Sequence, residues 1–252
     1  MNELSLKTAA TEHLGDNDVV LEQHTITSSC GEYSRDVWLL SGATARPHQL
    51  AVFLDAEHYL RDLSCLEVIE PLLASGAIPP LTCVFVTHAS GAARHEDYTC
   101  NHRYARFIAE DVLEWARQKN SRVDDSANVI CGLSLSGLES ALIAFQYPSV
   151  FGYALCQSGS FWWFADHEVA LPSTTARFWL SVGSDETAAN VSHPPTGLFQ
   201  RVSQVDGVER AARRFQGLGA TVKYNLHSGG HAAAPWREEL APALTWLLGE
   251  SA

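Results

Sequence analysis

Five stretches are so apolar that neither of their faces can be left in water: residues 50–55, 81–87, 128–132, 151–156 and 178–183. Runs of this length and character fit strands buried on both sides of a sheet. Between them lie segments with helical spacing. Leu66, Val68, Ile69, Leu72 and Leu73 predict a helix over 64–75, stopped by Gly76 and followed by Pro79-Pro80. Tyr104, Phe107, Ile108, Val112, Leu113 and Trp115 predict another over 102–119. Further helices are expected from Ser134 to about Gln146, over 205–218, and over 236–248. Residues 23–29 and 34–40 read as an antiparallel pair at a sheet edge, and 221–227 as one more strand. Segments 88–101, 159–164 and 229–231 read as loops: polar, aromatic and glycine-rich in turn. Strand alternating with helix argues an α/β fold with a mainly parallel central sheet and helices on both faces. No repeat or linker divides the chain, so residues 1–252 are expected to form one domain, with 1–20 a loosely ordered extension.

Charge narrows the partners. The formal net charge is −12 and no basic stripe is present, which argues against nucleic acid. No run is long enough to span a membrane. Met1 to Lys7 contain no apolar leader, so a cytoplasmic protein is expected, with Cys30, Cys65, Cys83, Cys100, Cys131 and Cys156 reduced. Cys83, Cys131 and Cys156 lie in apolar runs and read as buried. The cysteines lack ligand spacing, so no zinc site is expected from them. Nothing in the sequence fixes an oligomeric state.

The chemistry centres on Gly132-Leu133-Ser134-Leu135-Ser136-Gly137. An apolar run ends in glycine, serine follows two residues later, and a helical pattern begins. This is the form of a nucleophile elbow, in which strand and helix nearly touch and the residues two before and two after the serine must be small. Gly132 meets that demand; Ser136 stands where the pattern has glycine. Ser136 is a weaker candidate nucleophile because Leu138 is not small. Reactive residues recur at the strand ends, where ligands bind in such sheets: Asp55, Ser134, Asp185 with Glu186, and His231. The order serine, acid, histidine is that of the α/β-hydrolase triad. Eleven histidines compete for the base role, and His231, after Gly229-Gly230 and before the last helix, stands where that fold delivers its histidine. For the acid, Glu186, three residues beyond Gly183, is favoured, and Asp185 is its close rival. The oxyanion donors are expected to be the amides of Leu135 and Ala56. Serine ester hydrolysis, to which these residues point, needs neither metal nor cofactor.

Several segments, in order, resemble the enterochelin (ferric enterobactin) esterases of the α/β-hydrolases. They are Leu155-Cys156-Gln157-Ser158-Gly159-Ser160-Phe161-Trp162-Trp163, Leu54-Asp55-Ala56-Glu57-His58-Tyr59, the Arg94 to Asn101 loop, Tyr147 to Gly152, and Gly230-His231 with Trp236-Arg237. The resemblance covers about residues 48–249. It implies an ester hydrolase with Ser134 and His231 as the catalytic pair, and a site lined by Arg94, Asn101, Trp162 and Trp163. A planar guanidinium suits anionic or catecholate groups. Ala56 and Ser136 replace family glycines, and Asp97 replaces a glutamate. The expected substrate is a small ester of a catecholate siderophore or related aromatic acid. The alternatives are a broad carboxylesterase, a feruloyl- or acyl-sugar-type esterase, and an inactive binding protein on the same fold.

Overall fold

The computed structural model describes residues 12–13, 20–41, 46–124 and 127–249. Among the described residues a sheet of nine strands forms, in the order β1-β2-β3-β5-β4-β6-β7-β8-β11. The strands are β1 (Glu12–His13), β2 (Val20–Thr27), β3 (Ser34–Ser41), β4 (Gln49–Leu54), β5 (Leu81–Val86), β6 (Val129–Leu133), β7 (Tyr153–Gln157), β8 (Arg177–Gly183) and β11 (Thr221–His227). From β5 to β11 every neighbouring pair is parallel. The pairs β1/β2, β2/β3 and β3/β5 are antiparallel and form one edge. The expected antiparallel edge pair and parallel centre are both present. Within 1–20, expected as an extension, Glu12–His13 pair with β2 and Val20 begins it; the rest lies outside the described residues.

The side-chain period of two sorts the central strands into two cores. Leu50, Val52, Leu54, Val84, Val86 and Ile130 join one, and Ala51, Phe53, Cys83, Phe85, Val129 and Cys131 the other. The first core is covered by α3 (His102–Arg106), the π-helical turn Phe107–Val112, α4 (Leu113–Lys119), α5 (Leu135–Gln146) and α6 (Gln204–Gly217). The second is covered by α1 (Leu66–Ser75) and α7 (Ala233–Leu248). Gly76 ends α1 in the left-handed region, at φ 71°, as its place in the sequence suggests. All six cysteines are free, with Cys83, Cys131 and Cys156 buried. Among the described residues no helix is long and apolar enough to cross a membrane.

Two segments correct the loop expectations. Residues 88–101 contain α2 (Gly91–Asp97), whose N-terminus is capped by the Ser90 side chain accepting from the Ala93 amide. Polar composition hid this helix, which has little apolar surface to show a period. The aromatic segment after β7 is a 3₁₀ turn, Phe161–Ala165. A hairpin of β9 (Val191–His193) and β10 (Leu198–Gln200), joined through Pro194 to Gly197, also escaped the sequence reading, because three-residue strands carry too little pattern.

The end of α2 is pinned to the sheet by a buried pair, Arg35 Nη2 to Asp97 Oδ2 at 2.5 Å. Burial pushes the Asp97 carboxyl upward, and Arg35 offsets this only in part. Replacing Asp97 by alanine leaves a buried guanidinium uncompensated, so Asp97→Ala is expected to lower stability by about 3–5 kcal/mol. Urea unfolding measures this; a loss below about 1 kcal/mol would contradict the anchoring role.

Candidate active site

Strand β6 delivers Ser134 into a backbone conformation with φ 55° and ψ −121°. Such a conformation costs about 1–3 kcal/mol and persists only where the surroundings enforce it. Here they do. A Cβ on Gly132 would lie 2.2 Å from the Ser136 carbonyl oxygen, and one on Gly137 would lie 3.0 Å from the Cα of Gly159. The Ser134 amide donates to the Gln157 carbonyl at 2.9 Å, and its carbonyl accepts from Ser160 at 2.9 Å. Ser134 is the N-cap of α5, yet its side chain makes no capping bond. The hydroxyl is half-buried and 3.4 Å from the Ser160 hydroxyl. The Leu135 amide opens the first turn of α5, where amides have no intrahelical acceptor and the helix dipole favours negative charge.

Across the site, His231 Nδ1 lies 2.6 Å from Glu186 Oε2. The other carboxylate oxygen of Glu186 accepts from the Gly183 amide at 2.7 Å and the Ser158 hydroxyl at 2.7 Å. Trp236 Nε1 donates to that hydroxyl at 2.9 Å, and the Trp236 ring meets the His231 ring edge-on at 4.8 Å. Burial pushes the Glu186 carboxyl up, but His231, Ser158 and the Gly183 amide outweigh it and hold it below its ordinary value. Asp185 is exposed, its carboxylate 3.3 Å from the Ser184 hydroxyl, and it does not reach His231. Of the two carboxylates, Glu186 is therefore the one in contact with the imidazole. A buried carboxylate on Nδ1 orients the ring and favours the tautomer that leaves Nε2 free to accept a proton.

Asp55 follows β4 with φ 59° and is fully buried. Arg94 grips it with both arms, Nε to Oδ1 at 2.8 Å and Nη2 to Oδ2 at 2.6 Å. Ser136 Oγ is 2.8 Å from Oδ2. His88 Nδ1 lies 3.5 Å from Asp55 and 3.2 Å from Glu57. Burial alone would raise the Asp55 carboxyl; His88, Arg94 and Ser136 overcome it and hold it at about 2. Contacts with the two carboxylates outweigh desolvation at His88 and raise it to about 9. Donor atoms of Asp55, Glu57 and His88 lie within 4.8 Å of one another. The Arg94 guanidinium already neutralises Asp55 and would repel a cation placed there.

A cavity of about 400 Å³ brings together Ser134, Leu135, Asp185, Glu186, His231, Arg94 and Trp162. Ala56, which follows Asp55, is buried and is not among the residues lining the cavity. Asn101 is spent elsewhere: its side chain caps α3, accepting from Arg103 and Tyr104, and donates to Glu96 and Tyr33. Trp163 is likewise outside the lining, stacked on His167 with ring centroids 3.5 Å apart. Val191, His193, Leu198 and Gln200 of the β9/β10 hairpin, together with Gln204 and His95, also line the cavity and were not expected there from the sequence. His193 stacks on Trp162 at 5.5 Å. The turn residues Pro194-Pro195-Thr196-Gly197 were the one available signal for that hairpin.

This is the α/β-hydrolase fold, with a serine, a histidine and a carboxylate meeting at the strand ends. Residues 36–247 match the sequence family described as "Putative esterase", and the chain belongs to that family. The iron(III) enterobactin esterase of Dickeya dadantii (strain 3937) is 24% identical over 226 residues, covering 85% of this chain and 52% of the relative. That of Escherichia coli (strain K12) is 29% identical over 135 residues, covering 52% of this chain and 33% of the relative. The chain thus spans about half, or less, of the length of these curated relatives. The enterobactin esterase of Shigella flexneri, solved in the presence of enterobactin, superposes with a TM-score of 0.77 at 22% identity, over 92% of this chain and 60% of that one. A ferulic acid esterase superposes with a TM-score of 0.68 at 12% identity, over 90% of this chain and 97% of that one.

The buried charges set a pH signature. With its folded pKa raised from 6.5 to about 9, His88 contributes stability that is complete below pH 6.5 and lost as pH rises through about 9. Asp55, held at about 2 against an ordinary 3.8, contributes stability present above 3.8 and lost as pH falls toward 2. Urea midpoints taken from about pH 6 to 10 should fall more steeply in the wild type than in His88→Gln. Parallel profiles would contradict the assignment.

Proposed function

We propose that this protein is a serine esterase that hydrolyses carboxylic esters through an acyl-enzyme. The observation that carries the reading is an uncapped serine hydroxyl on a strained elbow, in one cavity with an imidazole held by a buried carboxylate. Ser134 Oγ attacks the ester carbonyl while His231 Nε2 takes its proton. The amides of Leu135 and Ala56 receive the negative charge on the carbonyl oxygen. His231 then returns the proton to the departing alcohol, and a water activated by the same imidazole releases the acid. Glu186 orients His231 and stabilises the imidazolium. We assign the reaction to the cytoplasm, a reading supported by six unpaired cysteines.

For substrate we propose an ester of an aromatic acid, of the catecholate-siderophore type. Membership of the esterase family and the similarity to iron(III) enterobactin esterases support this. A feruloyl-type ester is the second reading, favoured by the near-complete mutual coverage with a ferulic acid esterase.

Chromogenic short-chain esters test the mechanism. Ser134→Ala is expected to abolish turnover, and activity surviving it would sink the reading. Glu186→Ala should lower kcat by about 10³-fold or more. Asp185→Ala should stay within about threefold of the wild type, because Glu186, not Asp185, is bonded to the imidazole. Equal losses in the two variants would overturn the choice of acid. Chromatography of digests of enterobactin, with and without iron, and of a feruloyl ester decides the substrate. Hydrolysis of the feruloyl ester alone would refute the siderophore reading.

A further inference from the structure

Ser136 departs from the elbow pattern, and its side chain is not idle. It is fully buried, and its Oγ accepts from the Leu133 amide at 2.9 Å. The hydroxyl has one proton and two acceptors in reach, Asp55 Oδ2 at 2.8 Å and the Leu133 carbonyl at 2.8 Å. An ionised carboxylate is the stronger acceptor, so the hydroxyl donates its hydrogen bond to Asp55. Asp55 is fixed at its other polar atoms too. Its carbonyl accepts from His58 at 2.9 Å, its amide meets Tyr98 Oη at 3.3 Å, and Arg94 holds its carboxylate.

The two amides assigned to the oxyanion come from different loops, one after β4 and one after β6. Each adjoins a member of this bond: Ala56 follows Asp55, and Leu135 precedes Ser136. We infer that Ser136 is a positioning residue, whose hydroxyl ties the elbow to Asp55 and so sets the spacing of the Leu135 and Ala56 amides. A glycine at 136 could not make this bond. The inference rests on the serine-esterase reading above. Misplacement of oxyanion donors costs transition-state stabilisation while leaving ground-state binding largely intact.

Ser136→Ala removes the hydroxyl and adds no bulk; Ser136→Gly is the second variant. Both are to be compared with wild type and Ser134→Ala on a chromogenic ester. Affinity for an arylboronic acid, which adds to serine as a tetrahedral anion, is measured alongside thermal melting. In both Ser136 variants kcat is expected to fall about 10–100-fold with KM within about twofold. Boronate affinity should weaken by the same factor as kcat/KM. A purely structural role would lower the melting temperature without weakening boronate binding by the folded enzyme. Wild-type kcat in either folded variant, unchanged boronate affinity, or failure of both variants to fold overturns the inference. Should Ser134→Ala be inactive while the Ser136 variants match wild type, only this inference fails. A wild type without esterase activity overturns the functional reading and this inference with it.

Discussion

The site depends on a contact with no room in it. At Gly132 the end of β6 passes so close to the first turn of α5 that a methyl group would overlap the Ser136 carbonyl. That approach forces Ser134 into a positive φ, and the forced turn lifts its hydroxyl away from helix capping. The helix start is therefore left with an amide at Leu135 that needs an acceptor. The strain, a hydroxyl not spent on capping, and a first-turn amide are three consequences of one packing constraint, held by the parallel pairing of β6 with β4 and β7.

Around the elbow, charge is organised in two buried sets. Glu186 serves His231 and is itself fixed by Ser158, the Gly183 amide and, through Ser158, by Trp236. Asp55 gathers Arg94, Ser136 and His88. Arg94 therefore reaches the cavity with two of its nitrogens already committed, and its charge is balanced by Asp55. In a chain with a formal net charge of −12, a ligand in this cavity meets balanced charge at Arg94 and aromatic surface at Trp162 and His193. That environment suits ring stacking and directed hydrogen bonds more than bulk charge neutralisation.

The sheet was legible because strands buried on both faces have no polar alternation to confuse, and β4, β5, β6, β7 and β8 all begin and end within two residues of expectation. The elbow was legible because its steric demand is written in small residues, and His231 because glycines precede it. What stayed hidden carries little pattern of its own. α2 is polar, β9 and β10 are three residues each, and the choice between adjacent Asp185 and Glu186 depends on turn geometry that spacing does not encode. Asn101 and Trp163 were assigned to the cavity by resemblance, yet a cap and a stacked histidine occupy them. The Ser136 hydroxyl was invisible for a further reason: its partner Asp55 lies 81 positions away in the chain.

The central claim is that Ser134 becomes covalently acylated. Rapid acid quenching during turnover of an activated aromatic ester, followed by peptide mass spectrometry, tests it directly. The account requires an acyl group on the peptide containing Ser134, formed in a burst and absent from Ser134→Ala. Turnover without any adduct, or an adduct on another residue that persists in Ser134→Ala, would contradict it.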